Sequence, residues 1–495
     1  MNNLSLVHAS RPQTPTSYLS GLTWEQGPTA FFTQGVPFSY GVGPTLARRI
    51  WAAYRAVYTQ DAVSGLEIGA GLGYLSKHSL DIAGSEIVQW HVSDASTALV
   101  NHWQQAQTFS SYSQAVLRSL TLDVPFVWSG ALDLIVMSYV LDSTSTCHLE
   151  WENGVLYEWV MTTAIADSPI VAVSTEVPLS IVKVSAKHVW DNWECYADTD
   201  KPWLAPRLSG ACQETWERIP ATQSGCLLSE DLSLLATFLQ DSGLQHMIFN
   251  YPLMLRERLP ELMASLSDRG MIALHDFGYQ SLSGAVKPED LCTSFGTIQA
   301  YPLCFPLVTW MASQSGMYGH ISPAPEGESA LCLISKCPLP ETWVAADACY
   351  VQAHTLQTQV HDLMQLPTPA TAVPWADHDD YTLMAHRAMS ATSTTDRGFW
   401  LQTAIAHYPD LAIPSYAQYA QLLVEKGDRL AAIDLLEAAL VRFPLDPTLA
   451  LSLGNLYVRE KAFSSAMAVF QGSLRRLDDP LVWQVLKLMT LLPQE

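Results

Sequence analysis

The sequence predicts an α/β chain: a Rossmann-like domain with an irregular insertion, followed by an all-α domain of helical repeats. Three observations carry this. Residues Gly65 to Ala83, GLEIGAGLGYLSKHSLDIA, read as a buried strand, a glycine-rich turn and a helix. Runs such as Leu132 to Met137 are continuously apolar, the pattern of parallel strands covered on both faces. Beyond Tyr381 small and large residues recur at a helical spacing with a step of 34.

Residues 1–26 are polar and bear Pro, Ser and Thr, so an irregular lead-in is expected. Pro44 suits a first helical turn, and Leu46, Ile50, Ala53 and Val57 give the following helix one apolar side. The helix leads into the strand that ends at Glu67-Ile68. Gly69, Gly71 and Gly73 then alternate, letting the backbone turn sharply and approach a ligand with no Cβ in the way. The free N–H groups at the start of the next helix face the same place.

Glu86 to Val92 reads as the second strand. Asp94 stands at its carboxyl end, roughly 20 residues beyond the glycines, where a ribose hydroxyl pair is held in nucleotide-binding folds. A helix is expected over Thr97 to Gln107. Ser138 to Asp142 follows the Leu132–Met137 strand at its carboxyl end, the ligand side of an open sheet. Val155–Val160, Ile170–Val173 and Val182–Val184 have strand character, and 190–206 is rich in Trp and Pro without a period. A strand at His246–Asn250 and a helix over Glu257–Ser267 come next, with Gly270 expected as its C-cap. Met271–His275 reads as a buried strand ending at Asp276, and Ala330–Ser335 as a late strand, possible in antiparallel sense. LPTPATAVPWADHDD, from Leu366 to Asp380, has linker composition. The resulting division is 1–26 lead-in, 27–345 catalytic domain with a substrate-side insertion over about 160–246, 346–380 linker, and 381–495 repeats.

Composition bounds the function. The chain has 495 residues, 48% apolar and 15% charged, which supports a large core and two to four domains at ~150 residues each. The net charge of −22 argues against a nucleic-acid partner, which needs a basic footprint. Nine scattered cysteines without a CxxC pair read as buried thiols in a reducing compartment, and no metal site is expected. No apolar run reaches the ~18 residues of a membrane span, and no signal-peptide core is evident, so a cytoplasmic protein is expected.

The order Glu-x-Gly-x-Gly-x-Gly, with the acid ahead of the glycines, resembles motif I of class I methyltransferases that use S-adenosylmethionine. It argues against a nicotinamide enzyme, whose pattern is Gly-x-Gly-x-x-Gly. Over most of 27–335 the chain resembles the MidA-like family of these enzymes, which includes an arginine-methylating assembly factor of respiratory complex I. FFTQGVPFSYGVGPTLAR, LEIGAGLGYL, WHVSDASTAL, VMSYVLDSTS, GVLYEWV, GMIALHDFGY and GTIQAY fall in the family's order. The resemblance implies that Thr33, Glu67, Gly69, Gly71, Gly73, Asp94 and Ser138 bind S-adenosyl-L-methionine, with Glu67 facing its amino group and Asp94 its ribose. It implies that Asp142, Glu158 and Asp276 orient the methyl acceptor and receive its proton. Each also suits a plainer role: Asp142 a helix cap, Glu158 a solvated strand position, Asp276 a turn. Departures fall on the substrate side, where Ser138-Tyr139 replaces the family's Asn-Glu.

The C-terminal part resembles a pair of tetratricopeptide repeats, with Ala420, Ala432 and Ala439 matched by Gly454, Ala466 and Ser473, and with Tyr381 to Pro409 as a degenerate first repeat. Two functions follow as expectations: a protein methyltransferase whose repeats recruit its protein partner, or a silent methyltransferase-fold scaffold that binds through them.

Overall fold

The structure is a computed structural model and describes residues 6–8, 11–13, 15–28, 30, 44–59, 62–173, 181–282, 288–324, 329–349, 351, 381–409, 412–443 and 446–476. It divides into two compact units, one of 1–21, 37–164 and 212–366, the other of 22–36, 165–211 and 367–495.

The first unit is built on two sheets. Its helix α1 (Pro44–Val57) turns Leu46, Ile50, Trp51, Ala53 and Tyr54 inward. There follow β1 (Val63–Ile68), α2 (Tyr74–Ala83), β2 (Ile87–Asp94), α3 (Thr97–Gln105), β3 (Ala115–Ser119) and β4 (Leu132–Ser138). The chain then leaves the main sheet for β5 (Thr146–Glu152), β6 (Val155–Ile165), β7 (Cys212–Pro220), α4 (Ser229–Ser242), β8 (His246–Pro252) and α5 (Leu255–Ala264). It re-enters the main sheet as β9 (Leu266–Asp276), visits the second as β10 (Gly278–Tyr279) and β11 (Leu303–Cys304), and closes with α6 (Phe305–Gln314), β12 (Tyr318–Ile321) and β13 (Ala330–Ser335).

The main sheet has the order β12-β13-β9-β4-β1-β2-β3. Strands β3, β2, β1, β4 and β9 are parallel, and β13 lies antiparallel to β9 with Leu333 opposite Ala273. This is the mixed α/β sheet expected of a class I methyltransferase fold. From β1 the chain winds outward to β2 and β3, then returns to the other side of β1 as β4. The carboxyl ends of β1 and β4 therefore flank the switch point of the sheet, where open α/β sheets bind ligands.

The second sheet has the order β7-β6-β5-β8-β11-β10. Its β5–β6 hairpin turns on Asn153 and Gly154, at φ 50° and 88°, as a tight hairpin with the right-handed strand twist requires. Leu66, Ile68, Ile135, Met137, Ile272 and Leu274 of the main sheet share one apolar core with Leu149, Phe249 and Leu303 of the second and Phe305 of α6.

The second unit contains an antiparallel hairpin, Pro169–Val173 with Ile181–Ser185, and the helices Ala186–Asp191 and Lys201–Ser209, with Trp193, Trp203 and Leu204 buried. It also contains six helices: α7 (Tyr381–Ser390), α8 (Thr394–His407), α9 (Ile413–Glu425), α10 (Arg429–Arg442), α11 (Pro447–Arg459) and α12 (Phe463–Arg476). α9 and α11 start 34 residues apart, and so do α10 and α12. The expected small positions Ala420, Ala432, Ala439 and Ala466 are buried. A Cβ on Gly454 would land 2.2 Å from the Phe470 ring, so only glycine lets α11 and α12 approach this closely.

One expectation is corrected. Gly270 is no C-cap. α5 ends at Ala264, and Gly270 lies inside β9 with its missing Cβ over Leu266. Within 160–246, residues 165–211 fall in the second unit, and Cys212–Pro220 is an edge strand of the second sheet. Residues 341–349 are helical, and Asp347 pairs with Arg49 at 2.9 Å. The linker stretch from Leu366 to Asp380 lies outside the described residues. Among the described residues no helix is long and apolar enough to cross a membrane.

Candidate functional site

The glycine loop leaves β1 at the switch point. Gly69, Gly71 and Gly73 have φ of 70°, 54° and 81°, the left-handed region that residues with a Cβ avoid. A Cβ on Gly69 would lie 2.5 Å from Val140 Cγ2. The loop after β1 and the loop after β4 are thus in direct contact across the switch point. Gly69, Gly71, Ser138, Tyr139 and Val140 are half-exposed, while Glu67, Asp94, Asp142 and Asp276 beneath and beside them are buried.

Asp94 closes the loop from the β2 side. Its Oδ2 accepts the Gly71 N–H at 2.9 Å and its Oδ1 the Ser96 N–H at 2.8 Å. A carboxylate has about four acceptor sites, and two of them serve these backbone groups.

The resemblance has Glu67 face the cofactor's amino group, and in the structure its side chain is buried. Alternation along β1 turns it beneath α2, where Oε2 meets the Ser76 hydroxyl and Trp90 Nε1 donates to the same hydroxyl at 2.7 Å. It is 1% exposed. Burial pushes its carboxyl up to about 8, the Ser76 hydroxyl opposing and the Asp94 charge adding. A neutral acid folded under a helix ties the end of β1 to α2.

The two carboxyl groups on the acceptor side do meet. Asp142 lies in the single turn Leu141–Ser143 after β4, and Asp276 ends β9, the neighbouring strand. Asp276 Oδ2 accepts the backbone N–H of Leu141 at 3.1 Å and of Asp142 at 3.3 Å, and Oδ1 accepts that of Phe277 at 2.9 Å. The two carboxyl groups are close enough for each to shift the titration of the other. Burial raises Asp142 to about 6, with Ser143 and Asp276 opposing. Burial also raises Asp276, and the Asp142 charge adds to it. The two titrate as a pair and hold a common proton near neutrality. Ser143, itself exposed, donates its hydroxyl to Asp142 Oδ1 at 2.9 Å and links the pair to solvent.

Glu158 is not part of this group. It faces Leu149 across the β5–β6 hairpin, and its surroundings are Cys147, Ser224 and Cys226. Ser138 Oγ lies 3.1 Å from His275 Nδ1, at the rim between β4 and β9. Thr33 lies outside the described residues.

Sequence reasoning passed over two contributors. His275 bonds Ser138 and stacks edge-on against Tyr139 at 5.1 Å, and burial, helped by the Arg49 charge, lowers it to about 3, so it is neutral. Tyr139 takes φ 56° despite its side chain, held by its N–H bond to the His275 carbonyl at 2.8 Å and by a hydroxyl contact with Ser329. A non-glycine residue in that region carries strain of order 1–3 kcal/mol, of the kind that clusters at ligand sites. Neither left a sequence signal beyond its place at a strand end.

No protein-family model matches the sequence, and a search of curated proteins gave no significant match. Solved structures do resemble it. A protein from Burkholderia thailandensis with S-adenosyl-homocysteine bound is 14% identical, covering 59% of this chain and 77% of its own, at a TM-score of 0.35. Another, uncharacterized, protein from Burkholderia thailandensis is 14% identical, with 65% and 80% covered and a TM-score of 0.34. The CurJ carbon methyltransferase is 12% identical, with 66% and 68% covered and a TM-score of 0.30. These likenesses are distant, and the fold stands on its own strand order and glycine loop.

Proposed function

We propose that this chain is an S-adenosylmethionine-dependent methyltransferase that acts on a nitrogen of a protein side chain, arginine being the acceptor the sequence resemblance suggests. The observation that carries this reading is the glycine loop at the switch point, with Asp94 bonded to Gly71 and a half-exposed rim above it.

The residues fit such a cofactor in part. Gly69 and Gly71 offer backbone without side chains, and Asp94 stands at the carboxyl end of β2, where nucleotide-binding folds hold a ribose hydroxyl pair. Glu67, the candidate for the cofactor's amino group, is buried and bonded to Ser76 through Oε2. When bound, the cofactor supplies a methyl group on a sulfonium. What remains for the protein is positioning and the acceptor's proton. Asp142 and Asp276 take that part. A pair with one proton carries one negative charge, which attracts a guanidinium or ammonium and can receive a proton from it. Ser143 supplies the hydroxyl between the pair and the surface. The helical repeats of α7–α12 resemble tetratricopeptide hairpins, and in this reading they recruit the protein substrate.

The test is calorimetry with S-adenosyl-homocysteine, followed by incubation of cell lysate with isotopically labelled cofactor. Absence of binding by the wild type at millimolar concentration ends the proposal. One observation favours a silent scaffold as the second reading: Asp142 and Asp276 are 2% and 3% exposed, and Asp276 spends both oxygens on backbone N–H groups. Binding without any labelled product would select that reading.

A further inference from the structure

The first unit holds a second cluster of reactive side chains, in the second sheet and apart from the groups described above. Cys147 of β5, Glu158 of β6 and Cys226, in the loop before α4, bring one ligand atom each to within 4.8 Å of one another. The hairpin register explains two of the three. Leu149 faces Glu158, so Cys147, two residues earlier, shares that face and lies on the diagonal. The third is placed by Ser224, whose hydroxyl accepts the N–H groups of Cys226 at 2.9 Å and Leu227 at 3.2 Å.

The cluster is embedded in apolar surroundings. Cys147 belongs to the same core as Leu149, Leu227 and Leu253. Glu158 is 4% exposed, and its buried Oε2 has no hydrogen-bond partner. The Ser224 hydroxyl and the two thiols interact with the carboxyl group as a whole, and Oε2 is the oxygen left over. A lone buried carboxylate oxygen is costly, because it has given up water without gaining a partner. A disulfide between the cysteines would leave that oxygen unsatisfied, whereas a cation would satisfy it.

We propose that Cys147, Glu158 and Cys226 bind a thiophilic divalent cation of the zinc class. Two thiolates and one carboxylate form a familiar zinc donor set. Two thiolates at about 2.3 Å from a tetrahedral zinc stand about 3.8 Å apart, which the observed spacing accommodates. Binding displaces one proton from each thiol, and these pass to solvent. Cys226 is half-buried, so its side of the site is open to water as the fourth ligand. The ion would tie the β5–β6 hairpin to the start of α4.

The test uses the full chain, reduced, stripped with a chelator and titrated with Co²⁺, then with Zn²⁺ against a chromophoric chelator. One cobalt per chain with a thiolate-to-cobalt charge-transfer band is expected, displaced by Zn²⁺. Cys226→Ser should abolish the band and weaken zinc binding by roughly a hundredfold or more. Glu158→Gln should keep the charge-transfer band, with altered ligand-field bands and weaker binding. Because Cys147→Ser is buried and can disturb folding, the half-buried Cys226→Ser carries the test, with circular dichroism checking that it folds. No band at equimolar cobalt, an unchanged band in Cys226→Ser, or a Cys147–Cys226 disulfide persisting under reducing conditions would each overturn the proposal.

Discussion

Gly71 donates its N–H to Oδ2 of Asp94 at 2.9 Å, so the carboxyl end of β2 is fastened to the middle of the glycine loop. Asp94→Ala removes both this bond and the one from Ser96. We expect S-adenosyl-homocysteine binding to weaken at least tenfold, about 1.4 kcal/mol, because a hydroxyl partner and the shape of the loop are lost together. Calorimetry on wild type and variant checks this; equal affinities would remove Asp94 from the site.

Gly69→Ala places a methyl group 2.5 Å from Val140 Cγ2, at a φ of 70°. A cost of order 1–3 kcal/mol is expected, read as a lower thermal midpoint. Val140→Ala in the same chain relieves the collision but not the backbone strain. Partial recovery is therefore the predicted result, and full recovery would show that sterics alone dictate this glycine.

Methyl transfer should slow as the medium is acidified through about pH 6. Asp142 has its carboxyl raised to about that value, so the pair is uncharged below it and singly charged above it. Asp142→Asn should lower the rate by roughly a hundredfold or more and flatten that acid limb. A limb that persists unchanged in the variant would assign it to another group.

Glu67 makes an opposite demand on pH. Its folded-state value of about 8 lies above the ordinary 4.5, so folding favours its neutral form. The stabilisation is complete below 4.5 and fades as pH rises through about 8, by about 1.4 kcal/mol per pH unit between. Glu67→Gln should therefore unfold at a less pH-dependent midpoint over that range. Thermal melts at several pH values decide; parallel wild-type and variant curves would refute the assignment.

In the C-terminal helices, Gly454→Val should lower helical content and thermal midpoint, because the Phe470 ring occupies the space of any Cβ. Phe470→Ala combined with it should restore part of the loss.

Much of the first sheet could be read from the chain because its strands announce themselves locally. Val63–Ile68, Ile87–Asp94 and Leu132–Ser138 are apolar runs with glycine or acid at one end, and buried parallel strands have that look. The repeats were legible for a similar reason, since a period is a property of the sequence itself. The second sheet was legible only in β6 and β8. Its strand β7 alternates half-buried and exposed residues at an edge, and its partner β6 lies some fifty residues earlier in the chain. The burial of Glu67 beneath α2 was not legible, because motif spacing names a residue but not the face of the strand it takes. Glu158 was misplaced because its neighbours Cys147 and Cys226 come from separate segments, and no local pattern joins them.

Strands β4 and β9 lie side by side in the main sheet, and each hands the chain to the second sheet where it ends, through Leu141–Ser143 and through Phe277. The acid pair thus occupies the hinge line along which one layer folds onto the other. Any pressure that slides the layers changes the spacing of two carboxyl groups, and with it their hold on the proton they share. An acceptor leaning on the outer layer would then tune the acidity of the groups that serve it, and a titration shift upon acceptor binding is the sign to look for.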